Sequence, residues 1–143
     1  MKWTLEVVVV PVSDIDRAKA FYSEQLGFSV DYDESFADDT RWVQLTPPGS
    51  GCSITIGKGL MSSGEYLDLE PGSLQGLQLV VSDVRAAHEE LISRGVDVTE
   101  VQVIGESGPQ PAADDADLNN VGFVHFRDPD GNGWAVQQIT SRR

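Results

Sequence analysis

The chain is poor in the residues from which redox, metal and membrane chemistry are built. A single cysteine, Cys52, stands in 143 residues, so no internal disulfide can form. A lone thiol fits a reducing compartment. Only two histidines, His88 and His125, are present, too few for a histidine-rich metal centre. Basic residues are scarce as well: 10 Lys and Arg stand against 23 Asp and Glu, a formal net charge of -13. Such a surface repels phosphate backbones and anionic membranes, which argues against nucleic acid as a partner. No apolar run approaches the ~18–20 residues that span a bilayer. The longest, Val7 to Val10, is strand-sized, and Met1-Lys2-Trp3-Thr4-Leu5 leads straight into it with no signal-peptide core or cleavage site. No phosphate-cradling glycine loop opens a helix, and no nucleophile elbow is visible. The expectation is a cytoplasmic protein with no membrane or nucleic-acid partner. Its acidity has two readings, plain solubility and attraction for cationic ligands.

What is there is a globular composition with an internal repeat. Hydrophobic residues make up 40% of the chain, and this length suits one domain with a real core. Val9-Val10-Pro11-Val12-Ser13-Asp14-Ile15, running on to Leu26-Gly27-Phe28, is echoed by Leu79-Val80-Val81-Ser82-Asp83-Val84, running on to Arg94-Gly95-Val96. Both read strand, Val-Ser-Asp, helix, glycine, strand. Asp14 and Asp83, 69 residues apart, stand where a carboxylate would cap a helix N-terminus. Ile15, Ala18, Tyr22 and Leu26 then follow helical spacing, as do Val84, Ala87, Leu91 and Ile92. Gly27 and Gly95 suit left-handed C-caps.

Strands are expected over 28–33, 41–46 and 52–56 in the first half, and over 96–103, 122–127 and 134–139 in the second. Turns rich in Pro and Gly sit at 47–51 and 128–133. The pattern predicts an α+β single domain of two βαβββ modules, about 1–58 and 75–143, joined by a Gly/Ser-rich linker. Their sheets would form one curved mixed sheet around a cleft, with the helices outside. The stretches 57–73 and 105–120 read as long loops, and the second suits either plain mobility or a lid.

Val12-Ser13-Asp14-Ile15-Asp16-Arg17-Ala18-Lys19-Ala20-Phe21-Tyr22 with Leu26-Gly27-Phe28, together with Phe126-Arg127-Asp128-Pro129-Asp130-Gly131-Asn132, resemble the vicinal oxygen chelate superfamily. That group includes glyoxalase I, extradiol dioxygenases, fosfomycin-resistance enzymes and bleomycin-resistance proteins. The resemblance covers nearly the whole chain. It implies the glyoxalase/bleomycin-resistance fold and, commonly, a homodimer. Metal-dependent members hold a divalent ion with His or Glu at four cleft-facing strand positions. By spacing from Asp14, Asp83 and Asp128 those positions are here Val7, Gly76 and Ala135, with Ser53 the rough first-half counterpart of Ala135. Val, Gly and Ala have no side-chain donor, and Ser is a poor one. The resemblance therefore implies a member without a cofactor.

With the positions that the resemblance implies facing the cleft, the expected ligand-binding wall is Val7, Val9, Trp42, Gln78, His125, Ala135 and Gln137. Each has a plainer reading. Gln78 suits a ligand contact or a partner on a neighbouring strand. His125 is a weak catalytic candidate and equally a structural histidine, with no second catalytic group beside it. Trp42 suits an aromatic wall, whereas Trp134 suits the core. Cys52 reads as a small buried hydrophobe, His88 as a boundary residue, and Asp128 and Asp130 as turn residues bonding local backbone.

The leading expectation is a metal-free binder of a small organic molecule. Its first rival is a divergent glyoxalase- or dioxygenase-type enzyme with an irregular metal site from Glu6, Gln78 and Gln137, joined by His125. A second is an interaction module whose cleft is filled by its own side chains.

Overall fold

The computed structural model describes residues 1–36, 39–58, 60–62 and 65–141. The fold is α+β, two mixed sheets and few helices, and the chain divides into two compact units. The first is Met1–Leu74 with Asp128–Asn132. The second is Gln75–Arg127 with Gly133–Arg143.

In the first unit the order is β1 (Val7–Val9), α1 (Ile15–Ala20), β2 (Ser29–Phe36), β3 (Thr40–Thr46) and β4 (Ser53–Lys58). These strands form a sheet in the order β1-β4-β3-β2, with β1 parallel to β4 and the other pairs antiparallel. The Asp14 side chain accepts from the Arg17 N–H, so the expected N-cap is in place. The helix runs on as a π-helical turn, Phe21–Gln25, and ends at Gly27 with φ 77°. Val10, Ala18, Phe21, Tyr22, Phe28, Val43, Leu45, Ile54 and Ile56 are buried. Lys19 and Arg41 both bond Asp33, and Arg41 also reaches Asp16, so ion pairs fasten α1 to β2 and β3. These hydrogen bonds, Arg41's first, hold the Asp33 carboxyl well below the usual carboxylate range, and Asp33 in turn raises Arg41.

The stretch 57–73, expected as a loop, contains a short hairpin of β5 (Met61–Ser62) and β6 (Glu65–Tyr66). The turn Asp128–Asn132 also belongs to this unit and forms a polar core within it. Asp128 accepts from the Tyr22 hydroxyl at 2.7 Å, from the Asn132 side chain at 2.7 Å, and from the backbone N–H groups of Asp130 and Asn132. Asn132 also donates to the Pro11 carbonyl and accepts from the Leu74 N–H. Asp130 accepts from Ser13 and pairs with Arg17. Local backbone bonds are present, as the turn reading expects, and the same residues also bond distant partners.

The second unit repeats the plan with β7 (Leu77–Val81), α2 (Val84–Ser93), β8 (Gln102–Gly105), β9 (Gly108–Pro111), β10 (Gly122–Arg127) and β11 (Gly133–Gln138). The sheet order is β7-β11-β10-β8-β9, with β7 parallel to β11. Asp83 caps α2 by accepting from the Ala86 N–H, and Gly95 has φ 80°.

Three expectations change here. The strand over 96–103 shrinks to β8, with Val98 making only an isolated bridge to Phe126. The loop 105–120 opens with β9, whose Pro109 and Pro111 are tolerated because β9 is the sheet's edge and need not donate outward. Ile92 is 53% exposed, so the apolar face of α2 ends at Leu91. The core holds Val84, Val96, Leu118, Val124, Val136 and a stacked Phe126–Trp134 pair, so Trp134 is a core residue as read. His88 is half-buried on α2, at the boundary. No helix among the described residues is long and apolar enough to cross a membrane.

Candidate functional site

Each sheet has one face toward its helix and one without, and pairing register assigns every strand residue to a face. In the first unit Val43 and Leu45 pair with Ile56 and Ile54, and all four are buried on the helix side. The helix-free face therefore carries Val7 and Val9 on β1, Ser53 and Thr55 on β4, and Trp42, Gln44 and Thr46 on β3. The register of β1 with β4 is continuous over Val7–Val9, so Val7 and Val9 share this face.

A β-bulge lies instead in β2, between Val30 and Tyr32. One extra residue reverses the alternation beyond it. Tyr32, Glu34 and Phe36 consequently share the helix-free face with Trp42, while Asp33 turns to Lys19 and Arg41. The bulged Asp31 accepts from the Thr46 hydroxyl at 2.5 Å and from the Gln44 amide at 3.3 Å, and Thr46 lies 2.6 Å from the Ser53 hydroxyl. Sequence reasoning missed Tyr32, Phe36, Gln44, Thr46 and Asp31. Alternation along β3 was signal enough for Gln44 and Thr46; nothing local marks the bulge.

In the second unit β11 is central. Ala135 lies between Gln78 on β7 and His125 on β10, and Gln137 lies between Val80 and Phe123. Gln78, His125, Ala135 and Gln137 thus share the helix-free face. Gln78 donates to Gln137 at 2.5 Å, and Gln137 donates to the Asn120 carbonyl at 2.7 Å. The plainer reading of Gln78, a partner on a neighbouring strand, is met for one of its groups. Phe123 and His125 stack at 6.0 Å, and Thr99 secures the His125 backbone from outside. Ala135, with a single methyl, leaves a shallow floor between an amide and an imidazole.

The residues present do not fit a divalent metal. Val9 lies opposite Thr55 as Gln78 lies opposite Ala135, which makes Thr55 the true counterpart of Ala135 and places Ser53 opposite Val7. None of these side chains is a His, Cys or carboxylate, and no group of three or more such donors is assembled among the described residues. Glu6 is exposed just before β1, and Gln78 and Gln137 bond one another.

A sequence model of the Glyoxalase/Bleomycin resistance protein/Dioxygenase superfamily matches residues 4–136. The chain belongs to this superfamily. Among solved structures it resembles TnmS3, an antibiotic binding protein from Streptomyces sp. CB03234, at 29% identity and TM-score 0.70, over 96% of this chain and 97% of that one. It also resembles a glyoxalase/bleomycin resistance protein from Streptomyces sp. CB03234, at 30% identity and TM-score 0.67, over 94% and 100% of the two chains. The uncharacterized protein YetH of Bacillus subtilis (strain 168) is 24% identical over 132 residues, 92% of this chain and 94% of that protein. Within the superfamily the βαβββ repeat is expected, and both units follow it, the second with β9 added.

Proposed function

We propose that this superfamily member binds a small organic molecule against the helix-free face of a sheet, without a metal and without chemistry. The observation that carries the reading is the side-chain set at Val7, Val9, Thr55, Gln78 and Ala135, which includes no His, Cys or carboxylate. What those faces offer instead is aliphatic and aromatic surface with a few oriented amides and hydroxyls, the composition of an organic-ligand site. Val7, Val9 and Trp42 supply it in the first unit; Gln78, His125, Ala135 and Gln137 supply it in the second. The likeness to a protein described as antibiotic-binding supports the same reading. His125 is then a wall residue, stacked on Phe123.

Two measurements on protein purified without added metal test this. Elemental analysis should find well under one equivalent of zinc, nickel, iron or manganese. A thermal-shift screen of neutral and cationic aromatic compounds should find ligands that raise Tm, by roughly 5–10 °C at a hundredfold excess over Kd. Stoichiometric metal that is lost on Gln78→Ala or Glu6→Ala would overturn the metal-free reading. A screen without a single stabilising compound would favour an interaction module.

The homodimer is part of the same proposal. Trp3 and Leu5 are 86% and 69% exposed, a large apolar cost for a lone chain in water. Sedimentation at micromolar concentration should give twice the 15.5 kDa of one chain; the mass of a single chain would refute it.

A further inference from the structure

The indole Nε1 of Trp42 is out of solvent contact and has no hydrogen-bond partner among the described residues. A buried donor without an acceptor costs about 1–3 kcal/mol, so such groups are rare and call for a reason. Three features of its surroundings indicate what would supply the acceptor.

The first is that the face carries further aromatic surface. Phe36 meets Trp42 edge-on with ring centroids 5.4 Å apart and is itself 52% exposed, and Tyr32 on the same face is 36% exposed. Gly57, opposite Trp42 on β4, adds no side chain beside the indole. The second is that four other polar residues of the face are engaged with one another. Asp31, Gln44, Thr46 and Ser53 form a closed set of hydrogen bonds. The third is charge. Glu34 pairs across from Trp42, and Asp31 lies on the same face, so an anionic acceptor is repelled.

We infer that Trp42 Nε1–H is the donor that selects the ligand, and that the ligand is an uncharged or cationic planar aromatic molecule bearing a carbonyl oxygen. Its ring lies against Trp42 and Tyr32, and its oxygen takes the indole proton. Phe36 is the side chain that gives way, because it is half-exposed and already packs on the indole. This rests on the reading of the protein as a small-molecule binder and adds the chemistry that the molecule must carry.

The test compares fluorenone with fluorene, two planar aromatics of nearly equal size that differ by one carbonyl. Binding is followed by titration calorimetry and by the indole N–H signals in proton–nitrogen spectra, the Trp42 signal being the one lost in Trp42→Phe. Fluorenone should bind the wild type about tenfold more tightly than fluorene. It should move the Trp42 proton downfield, and it should lose that advantage in Trp42→Phe, which keeps the ring and removes the donor. Fluorene should bind the two proteins alike.

Equal binding of both compounds to both proteins, with the Trp42 signal unmoved, would overturn the inference and leave the binder reading intact. If neither compound binds while other compounds raise Tm, the inference also fails and the reading again survives. If no compound of any kind binds, both fall. Folding of Trp42→Phe is checked by the unchanged signals of Trp3 and Trp134.

Discussion

The two halves of the repeat each carry a hairpin turn into the last strand of their sheet, and the two turns have opposite fates. Pro47–Gly51 is a surface reversal. Its Gly49 has φ 80° with nothing near the place of a Cβ, and Pro48, Gly49 and Ser50 are exposed. Asp128–Asn132 is a buried polar core in which Asp128 is 5% and Asn132 0% exposed. The same topology is therefore closed once by local bonds within the turn, the Ser50 hydroxyl bonding the Cys52 backbone, and once by a network in which the turn accepts from Tyr22 and donates to Pro11. The lesson is that a repeat passes on its strand order, whereas the energetic weight of a given turn depends on what it meets.

That contrast can be broken most forcefully at Asp128. Asp128→Ala strips the acceptor from the Tyr22 hydroxyl, from the Asn132 side chain and from two backbone N–H groups. It should lower the unfolding free energy by about 3–5 kcal/mol, read from the denaturant midpoint. A loss below about 1 kcal/mol would reduce this turn to the rank of the other. Tyr22→Phe removes a single hydroxyl and leaves Asp128 its other donors, so about 1–2 kcal/mol is expected. At the surface turn, Gly49→Ala keeps every hydrogen bond and adds only the cost of a side chain in the left-handed region. That cost should be about 1 kcal/mol, with the denaturant slope unchanged.

The helices repeat the contrast on a smaller scale. α1 is fastened to β2 and β3 through Asp33, Lys19 and Arg41, whereas the ion pair described on α2 is the local, exposed Arg94–Glu90. Because Asp33 is held below its ordinary range, its stabilisation is complete above about pH 4 and drains away as the pH falls further. Asp33→Asn should therefore lose about 0.5–1 kcal/mol at pH 7 and show a shallower decline in stability than the wild type between pH 4 and pH 2. Parallel curves would show that these ion pairs contribute nothing.

Much of the fold was legible because each signal was local. The Asp caps, the glycines at Gly27 and Gly95, and the period-two runs of Leu77–Val81 and Gly122–Arg127 depend on residues a few positions apart. Val7 and Ala135 were placed by the spacing of the resemblance and Gln78 and Gln137 by alternation from such positions, and no bulge interrupts the strands that carry them. Where alternation breaks, at Asp31, the reading stopped short: β2 was expected to end near Asp33, and the aromatic company of Trp42 was invisible. Asp128 and Asn132 looked like turn formers because their short-range role is real. Their partners Tyr22 and Pro11 lie more than a hundred residues away.

By itself the sequence determined the βαβββ repeat, the alternation of the strands that carry no bulge, and the lack of His, Cys or carboxylate side chains at the expected metal positions. Those properties rest on backbone preferences, periodicity and residue chemistry, which act over one or two turns of chain. Only the tertiary structure decided that one extra residue in β2 brings Tyr32 and Phe36 to the face of Trp42, whose indole N–H has no partner among the described residues, and that a turn from late in the chain becomes core in the first unit. Both outcomes depend on which distant atoms come within hydrogen-bond or van der Waals reach, and no local pattern of residues encodes that distance.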